Sequence, residues 1–252
     1  MKDGYLLAID AGTGSCRAVL FDPMGNQYAL VQREWSHSSL PAFPGSQIFE
    51  TQTNWESICG CIREVLEQIP DAADAILAVS STSMREGIVL YDDADREIWA
   101  CPNVDSRATA EATKLVENRL AEKIYAIGGD WVAITSPPRL LWIQKHQPEV
   151  FERIAHFGML SDWILFKFCG EYTTDPSSGS SSGLFDLGRR TWSEEILEIC
   201  KQHNVPWGTT AANVEDAERW VAQGALFFEA EDEKNFIIEG ATRLVDAYRR
   251  FT

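Results

Sequence analysis

"LLAIDAGTGSCRAVLFD", residues 6–22, decides the fold. An apolar run ends on Asp10, a turn holding Gly12, Thr13 and Gly14 follows, and a second apolar run ends on Asp22. The pattern predicts strands at 5–10 and 16–21, and a third at 27–35 after the "DPMGN" turn at 22–26. Connections this short join antiparallel neighbours only, so the chain opens as a three-stranded meander. A dinucleotide-binding turn would require a helix after the glycines, and "CRAVLFD" reads as a strand.

The turn carries its own chemistry. Gly12 and Gly14 permit positive φ and a close backbone approach to a ligand. Successive turn N–H groups form an anion nest, to which Thr13 and Ser15 add hydroxyls. Asp10 would repel a phosphate met directly, but it suits a magnesium ion held through a bound water beside one. An ordinary hairpin with a turn-favouring aspartate fits the same residues, so the motif alone leaves both readings open.

Beyond the meander, Trp55, Ile58, Ile62, Val65, Leu66 and Ile69 recur at helical spacing and predict a helix over 53–69. Strands follow at 75–81 and 87–92, then helices near 106–121, 137–153, 161–169 and 193–202. Hairpinned strands followed by alternating helix and strand define an α/β class with a mixed sheet and flanking helices. The remainder reads as a helix at 214–223, a strand at 225–229 and a helix at 232–250.

Composition narrows the function. A formal net charge of −16 argues against nucleic acid as the main partner, because phosphate backbones need cationic surface. No run of 18 apolar residues exists, and no basic stretch with an apolar core opens the chain, so neither a membrane span nor a secretory signal is expected. The six cysteines are scattered without zinc-site spacing, which suits reduced thiols in a cytoplasmic protein. His37, His146, His156 and His203 do not cluster, and read as ordinary surface or core histidines.

The segment 80–107, "SSTSMREGIVLYDDADREIWACPNVDSR", sharpens the picture. A strand ends in small polar residues and runs into Arg85–Glu86. Such a pair is either a surface ion pair of little consequence or a polyol clamp, with Arg donating and Glu accepting from sugar hydroxyls. Asp105 follows another short strand, at the position of a helix N-cap.

These residues resemble the FGGY carbohydrate kinases, of the actin-like, ribonuclease-H-like ATPase superfamily. "DAGTGSCRAVLFD" resembles their first phosphate motif, "MREG" the Arg–Glu sugar clamp of glycerol kinases, and "NVDSR" a W-x-D-x-R segment. Residues 161–197 resemble the family's D-x-L-x-x-x-L-T-G to T-D-x-S-N-A-S stretch. "SMREGIVLY", "PRLLW" and "SDW" bring the chain nearest to the autoinducer-2 kinase branch. The resemblance covers about residues 5–203 and implies an N-terminal, substrate-binding domain at 1–204 with an atypical tail at 205–252. That tail faintly resembles the last strand and helix of class II aldolase barrels, as a fusion or deletion would leave.

The resemblance also assigns roles. Arg85, Glu86 and Asp105 would hold a small polyol or hydroxyketone; Gly12, Thr13 and Gly14 would stand near the γ-phosphate of ATP, and Asp10 near Mg²⁺ through a bound water. An aromatic near Trp131 would stack on the substrate. The family's general base sits in a Gly-Gly-Asp segment of a second domain, and residues 205–252 contain no such segment. The expected function is the substrate half of an ATP-dependent sugar kinase, inactive alone, with a non-catalytic ligand-binding or regulatory protein as the alternative. A cleft face left bare would favour a homodimer or a covering by residues 214–250. The "SSGSSSG" run at 177–183 reads as an ordered loop after Asp175 rather than a linker.

Overall fold

The computed structural model describes residues 4–193, 195–196, 209–211 and 228–230. Strands β1 (Tyr5–Ala11), β2 (Ser15–Phe21) and β3 (Gln27–Glu34) form the expected antiparallel meander, and β4 (Ile76–Ser83) adds in parallel beside β1, giving the order β3-β2-β1-β4. The mixed sheet is therefore present: the parallel strand arrives through the crossover helix α1 (Thr51–Glu67). Asn54, Ile58, Cys61 and Val65 recur along its buried stripe. Cys61 lies over Cys16 of β2, with the sulfurs 3.9 Å apart, and burial pushes the Cys16 thiol up to about 12.

A second layer is built from β5 (Ile88–Tyr91), β6 (Glu97–Cys101), α2 (Thr109–Glu117), α3 (Leu120–Gly128), α4 (Ser136–His146), α5 (Pro148–Phe151) and β7 (His156–Met159). Its sheet runs β6-β5-β7, all antiparallel. Strand β5 is buried at every position. Ile88 and Leu90 enter the core beneath α2–α5, while Val89 and Tyr91 enter the core of the first sheet. One strand thus serves two cores, which explains a continuous apolar run where a half-exposed strand would alternate.

Helix α6 (Leu160–Cys169) packs on β4, with Trp163 fully buried. Then come α7 (Pro176–Ser181), the short pair β8 (Phe185–Asp186) and β9 (Thr191–Trp192), and the parallel pair β10 (Thr209–Ala211) and β11 (Phe228–Ala230).

Three expected elements change shape. The helix read over 106–121 is two helices, broken where Arg119 takes φ 58°. The helix read over 137–153 breaks at Gln147, whose φ and ψ are −140° and 56°, because the residue before a proline avoids the α region. Residues 177–181 of "SSGSSSG" lie in helix α7 instead of a loop, because Pro176 takes its first position and the Asp175 carboxylate accepts from Ser177 N and Ser178 N. Of the strand expected at 225–229, residues 228 and 229 fall in β11 and 225–227 lie outside the described residues, as do the helices expected at 214–223 and 232–250 and the helix at 193–202 past residue 196.

Candidate functional site

Parallel strands β1 and β4 end side by side. Ala11 pairs with Ser83, and Met84 N donates to Ala11 O (2.8 Å). The 12–14 turn at one strand end therefore adjoins Arg85–Glu86 at the other, in the crevice beyond the carboxyl ends where open α/β sheets bind ligands. Two segments 70 residues apart in sequence meet because one crossover joins them.

The turn is braced from behind. Trp35 Nε1 donates to Gly12 O (3.0 Å) and Thr13 O (3.2 Å), His37 Nε2 donates to Thr13 O (2.8 Å), and Trp35 N donates to Gly14 O (3.1 Å). A carbonyl aimed at a phosphate would repel it, and here all three are turned away to Trp35 and His37. Neither Gly12 nor Gly14 takes a positive φ, which corrects the conformational reason expected for them. Their lack of a side chain matters differently: a Cβ on Gly14 would stand in open space, so the turn presents bare backbone outward. The exposed Thr13 hydroxyl donates to Asn103 Oδ1 (3.0 Å).

Asp10 is half-buried across from Arg17 of β2, with 3.2 Å between Arg17 Nε and Asp10 Oδ2. That is ion-pair distance without hydrogen-bond alignment. The carboxylate keeps its outward side, and among the described residues no cluster of three or more metal-ligating side chains exists. A single carboxylate fits a hydrated magnesium ion approached through water and does not fit a dehydrated one, which needs several oxygen ligands.

Arg85 is exposed and donates to Ser177 Oγ (2.9 Å). It borders a cavity of about 230 Å³ whose walls include Ser81, Ser161, Asp175, Ser177 and Ser178. Asp175 Oδ2 accepts from Ser178 Oγ (2.6 Å) and its Oδ1 from the α7 amides. Burial alone would raise its pKa, but these bonds and the charge of Arg85 hold it below the usual value. One cation, one anion and several hydroxyls around one hollow suit a polyhydroxylated ligand better than an apolar or a fully anionic one. Glu86 sits at φ 58°, half-buried. Burial and then the charge of Asp130 push its pKa up, against the pull of Arg85 and Arg139. Trp131 is exposed next to Asp130, edge-on to Tyr125 at 6.0 Å.

Asp105 departs from its expected place. It is neither the cap of α2, which begins after Ala108, nor on the cleft surface. Its carboxylate pairs with Arg107 at 2.7 Å, with side chains 0% and 2% exposed, and also accepts from Gln47 N (2.7 Å). Arg107 in turn lies between the Trp99 and Trp142 rings, at 5.0 and 5.1 Å. A buried carboxylate must find an internal cation, and this one is committed to the core.

Trp35, His37, Asn103 and Ser177 were not singled out from the sequence. Asn103 and Ser177 lie inside the quoted "NVDSR" and "SSGSSSG" and His37 reads as an ordinary histidine, but nothing local marks their roles, since each acts on a segment distant in the chain. Arg139, inside the quoted "PRLLW", does carry a signal: an arginine among apolar helix positions.

The strand order is that of a ribonuclease-H-like domain, with the braced 12–14 turn beside a hydroxyl-lined hollow at one end of its sheet. The model of the FGGY family of carbohydrate kinases, N-terminal domain, matches residues 5–206, and the chain belongs to that family. Autoinducer-2 kinase of Salmonella paratyphi B is 46% identical over 198 residues, which are 77% of this chain and 37% of that protein. Among solved structures, gluconate kinase from Lactobacillus acidophilus superposes with a TM-score of 0.72 at 21% identity, covering 79% of this chain and 40% of that one. Xylulose kinase from Rhodospirillum rubrum gives 0.72 at 24% identity, covering 78% and 40%. These likenesses establish the shared fold. The chain spans little more than a third of the curated relative's length. Among the described residues, no helix is long and apolar enough to cross a membrane.

Proposed function

We propose that this chain is the acceptor-binding half of an ATP-dependent carbohydrate kinase, taking a small polyol or hydroxyketone of the autoinducer-2 or sugar type. The observation that carries the reading is Arg85 on the rim of a hydroxyl-lined hollow, one strand away from the braced 12–14 turn. Arg85 donates to acceptor hydroxyls and Glu86 accepts from them, while Trp131 offers a face for the carbon chain. Gly12, Thr13 and Gly14 meet the γ-phosphate through backbone and hydroxyl donors. Asp10 would hold the water shell of a magnesium ion, whose chemistry, when bound, would be to spread charge on the transferring phosphoryl group. Asp105 acts in this scheme by supporting the fold beneath the clamp.

The 1–204 segment forms this unit and 205–252 carries no assigned chemistry. The base that takes the acceptor proton is assigned in this reading to a second domain of the kind the family carries, because residues 205–252 hold no Gly-Gly-Asp segment and Glu86 serves as the clamp's acceptor. The chain alone is therefore expected to release no acceptor-dependent ADP. It is expected to bind D-xylulose in an NMR titration, and Arg85→Ala should weaken that binding by roughly 1.5–3 kcal/mol while leaving the melting temperature unchanged. Equal shift changes in wild type and variant would refute the clamp, and acceptor-dependent ADP release would refute the division of labour.

A further inference from the structure

Arg139 lies in the first half of α4 with 1% of its surface exposed. Its guanidinium is met by backbone carbonyls: Nη1 donates to Glu86 O, and Nη2 donates to Pro102 O (3.1 Å) and Asp105 O (3.3 Å). The Asp105 carboxylate, which stands on that same turn, is taken by Arg107. Burying a cation that is hydrogen-bonded to carbonyls and to no carboxylate is costly, and an apolar side chain would fill a helix core with less penalty. The carbonyls it holds belong to the two segments that frame the site.

Each segment needs holding. Glu86 is a non-glycine residue in the left-handed region, a conformation that persists only where surroundings enforce it. Residues 102–105 form a turn closed by Asp105 N donating to Pro102 O (3.2 Å), and Asn103 within it accepts from Thr13. One guanidinium thus reaches the clamp directly and the phosphate turn through Asn103.

We infer that Arg139 is a positioning residue, whose buried guanidinium sets the Glu86 backbone and the 102–105 turn so that clamp and phosphate turn keep a fixed relation. The inference rests on the reading of Arg85–Glu86 as the polyol clamp. Its charge has a second consequence. The charged groups facing Glu86 are Arg85, Arg139 and Asp130, so removing Arg139 leaves burial and Asp130 opposed by Arg85 alone.

The test uses the 252-residue chain with Arg139→Gln and Arg139→Lys. In the ligand-free Gln variant, amide exchange should accelerate at 85–87 and 102–106 while β1–β3 keep wild-type protection, and the Glu86 carboxyl titration, followed by carbon NMR, should move to higher pH. Lysine keeps the charge but offers donors from one nitrogen, so it should restore the titration and leave the two segments loosened. D-xylulose affinity should fall roughly tenfold in the Gln variant. Exchange that accelerates evenly through both cores with an unmoved Glu86 titration would overturn the inference and leave Arg139 as packing. If Arg139→Gln does not fold, the Lys variant decides on exchange alone: loosening confined to the two segments supports the inference, and uniform or absent change overturns it. A wild-type chain that fails to bind D-xylulose counts against the clamp reading, while the exchange and titration arms still judge Arg139.

Discussion

Asp105 and Arg107 show what a two-residue spacing conceals. In sequence, Asp105 suits a cap or a ligand contact equally. In the structure it is one half of a buried ion pair whose other half is stacked between two tryptophans. The two roles have opposite signatures. Asp105→Ala should destabilise the chain by roughly 3–5 kcal/mol, because it leaves the Arg107 charge buried and unpaired. A residue that only touched ligand would leave stability nearly intact. Chemical denaturation of the variant separates them, and a midpoint equal to wild type would return Asp105 to the cleft. Arg85 is the converse case: it is exposed and bonded only to Ser177 among the described contacts, so its replacement should show in binding and not in folding.

At the scale of elements, helix α6 begins with a buried acid. Asp162 Oδ2 accepts from Met159 N (2.9 Å), a capping bond, yet burial pushes the carboxyl up to about 7 against the pull of its hydrogen bonds. The unfolded residue loses its proton near the ordinary aspartate value of 3.8. Between these pH values the native state binds the extra proton, so stability falls as pH rises through the window and levels off above about 7. Asp162→Asn keeps an oxygen for Met159 N and cannot ionise. The variant should therefore melt higher than wild type at pH 8, with the gap closing toward pH 4. A gap that stays constant with pH, measured by thermal melts across the range, would show that Asp162 is ionised in the fold. The helix breaks at Arg119 and Gln147 belong to this scale too. Pro148 announces the second to anyone reading the sequence, whereas the first depends on how α2 and α3 pack and carries no comparable mark.

For the whole molecule, the main sheet is covered by α1 and α6 on one side, and alternate residues on the other side remain open. Leu6 is 36% and Leu30 43% exposed, and Tyr28 and Leu77 are exposed close by. Strand register places this apolar exposure toward the start of β1, while the Asp10 end carries Asp10, Arg17, Thr82 and Gln32. Within the main sheet the bare surface expected beside the cleft thus lies away from Asp10, and the exposed apolar side chains near the site, Val104 and Trp131, stand outside the sheet. Contiguous apolar surface of this kind is ordinarily covered. We expect a second copy of the chain or residues past 211 to cover it. Sedimentation at several concentrations, with and without truncation after residue 211, should show concentration-dependent mass or a stability loss on truncation. A monomer indifferent to truncation would refute both.

The sequence by itself determined the meander, the helix that follows it, the strand after that helix and the mixed character of the sheet, while the parallel place of the fourth strand beside β1 came from the structure. Apolar periodicity and turn chemistry act over a few residues, so they are legible locally. Only tertiary structure decided which charges face the cleft and which face the core. Asp10 and Asp105 look alike in sequence, each an aspartate at or shortly after the end of an apolar strand. One keeps an outward side because its strand ends at a crevice; the other is sealed in because Trp99, Trp142 and Gln47 converge on its partner. The roles of Trp35, His37, Asn103 and Arg139 were likewise settled by packing. A hydrogen bond to a carbonyl tens of residues away leaves no pattern in the chain, since any residue of that length and polarity satisfies the local rules.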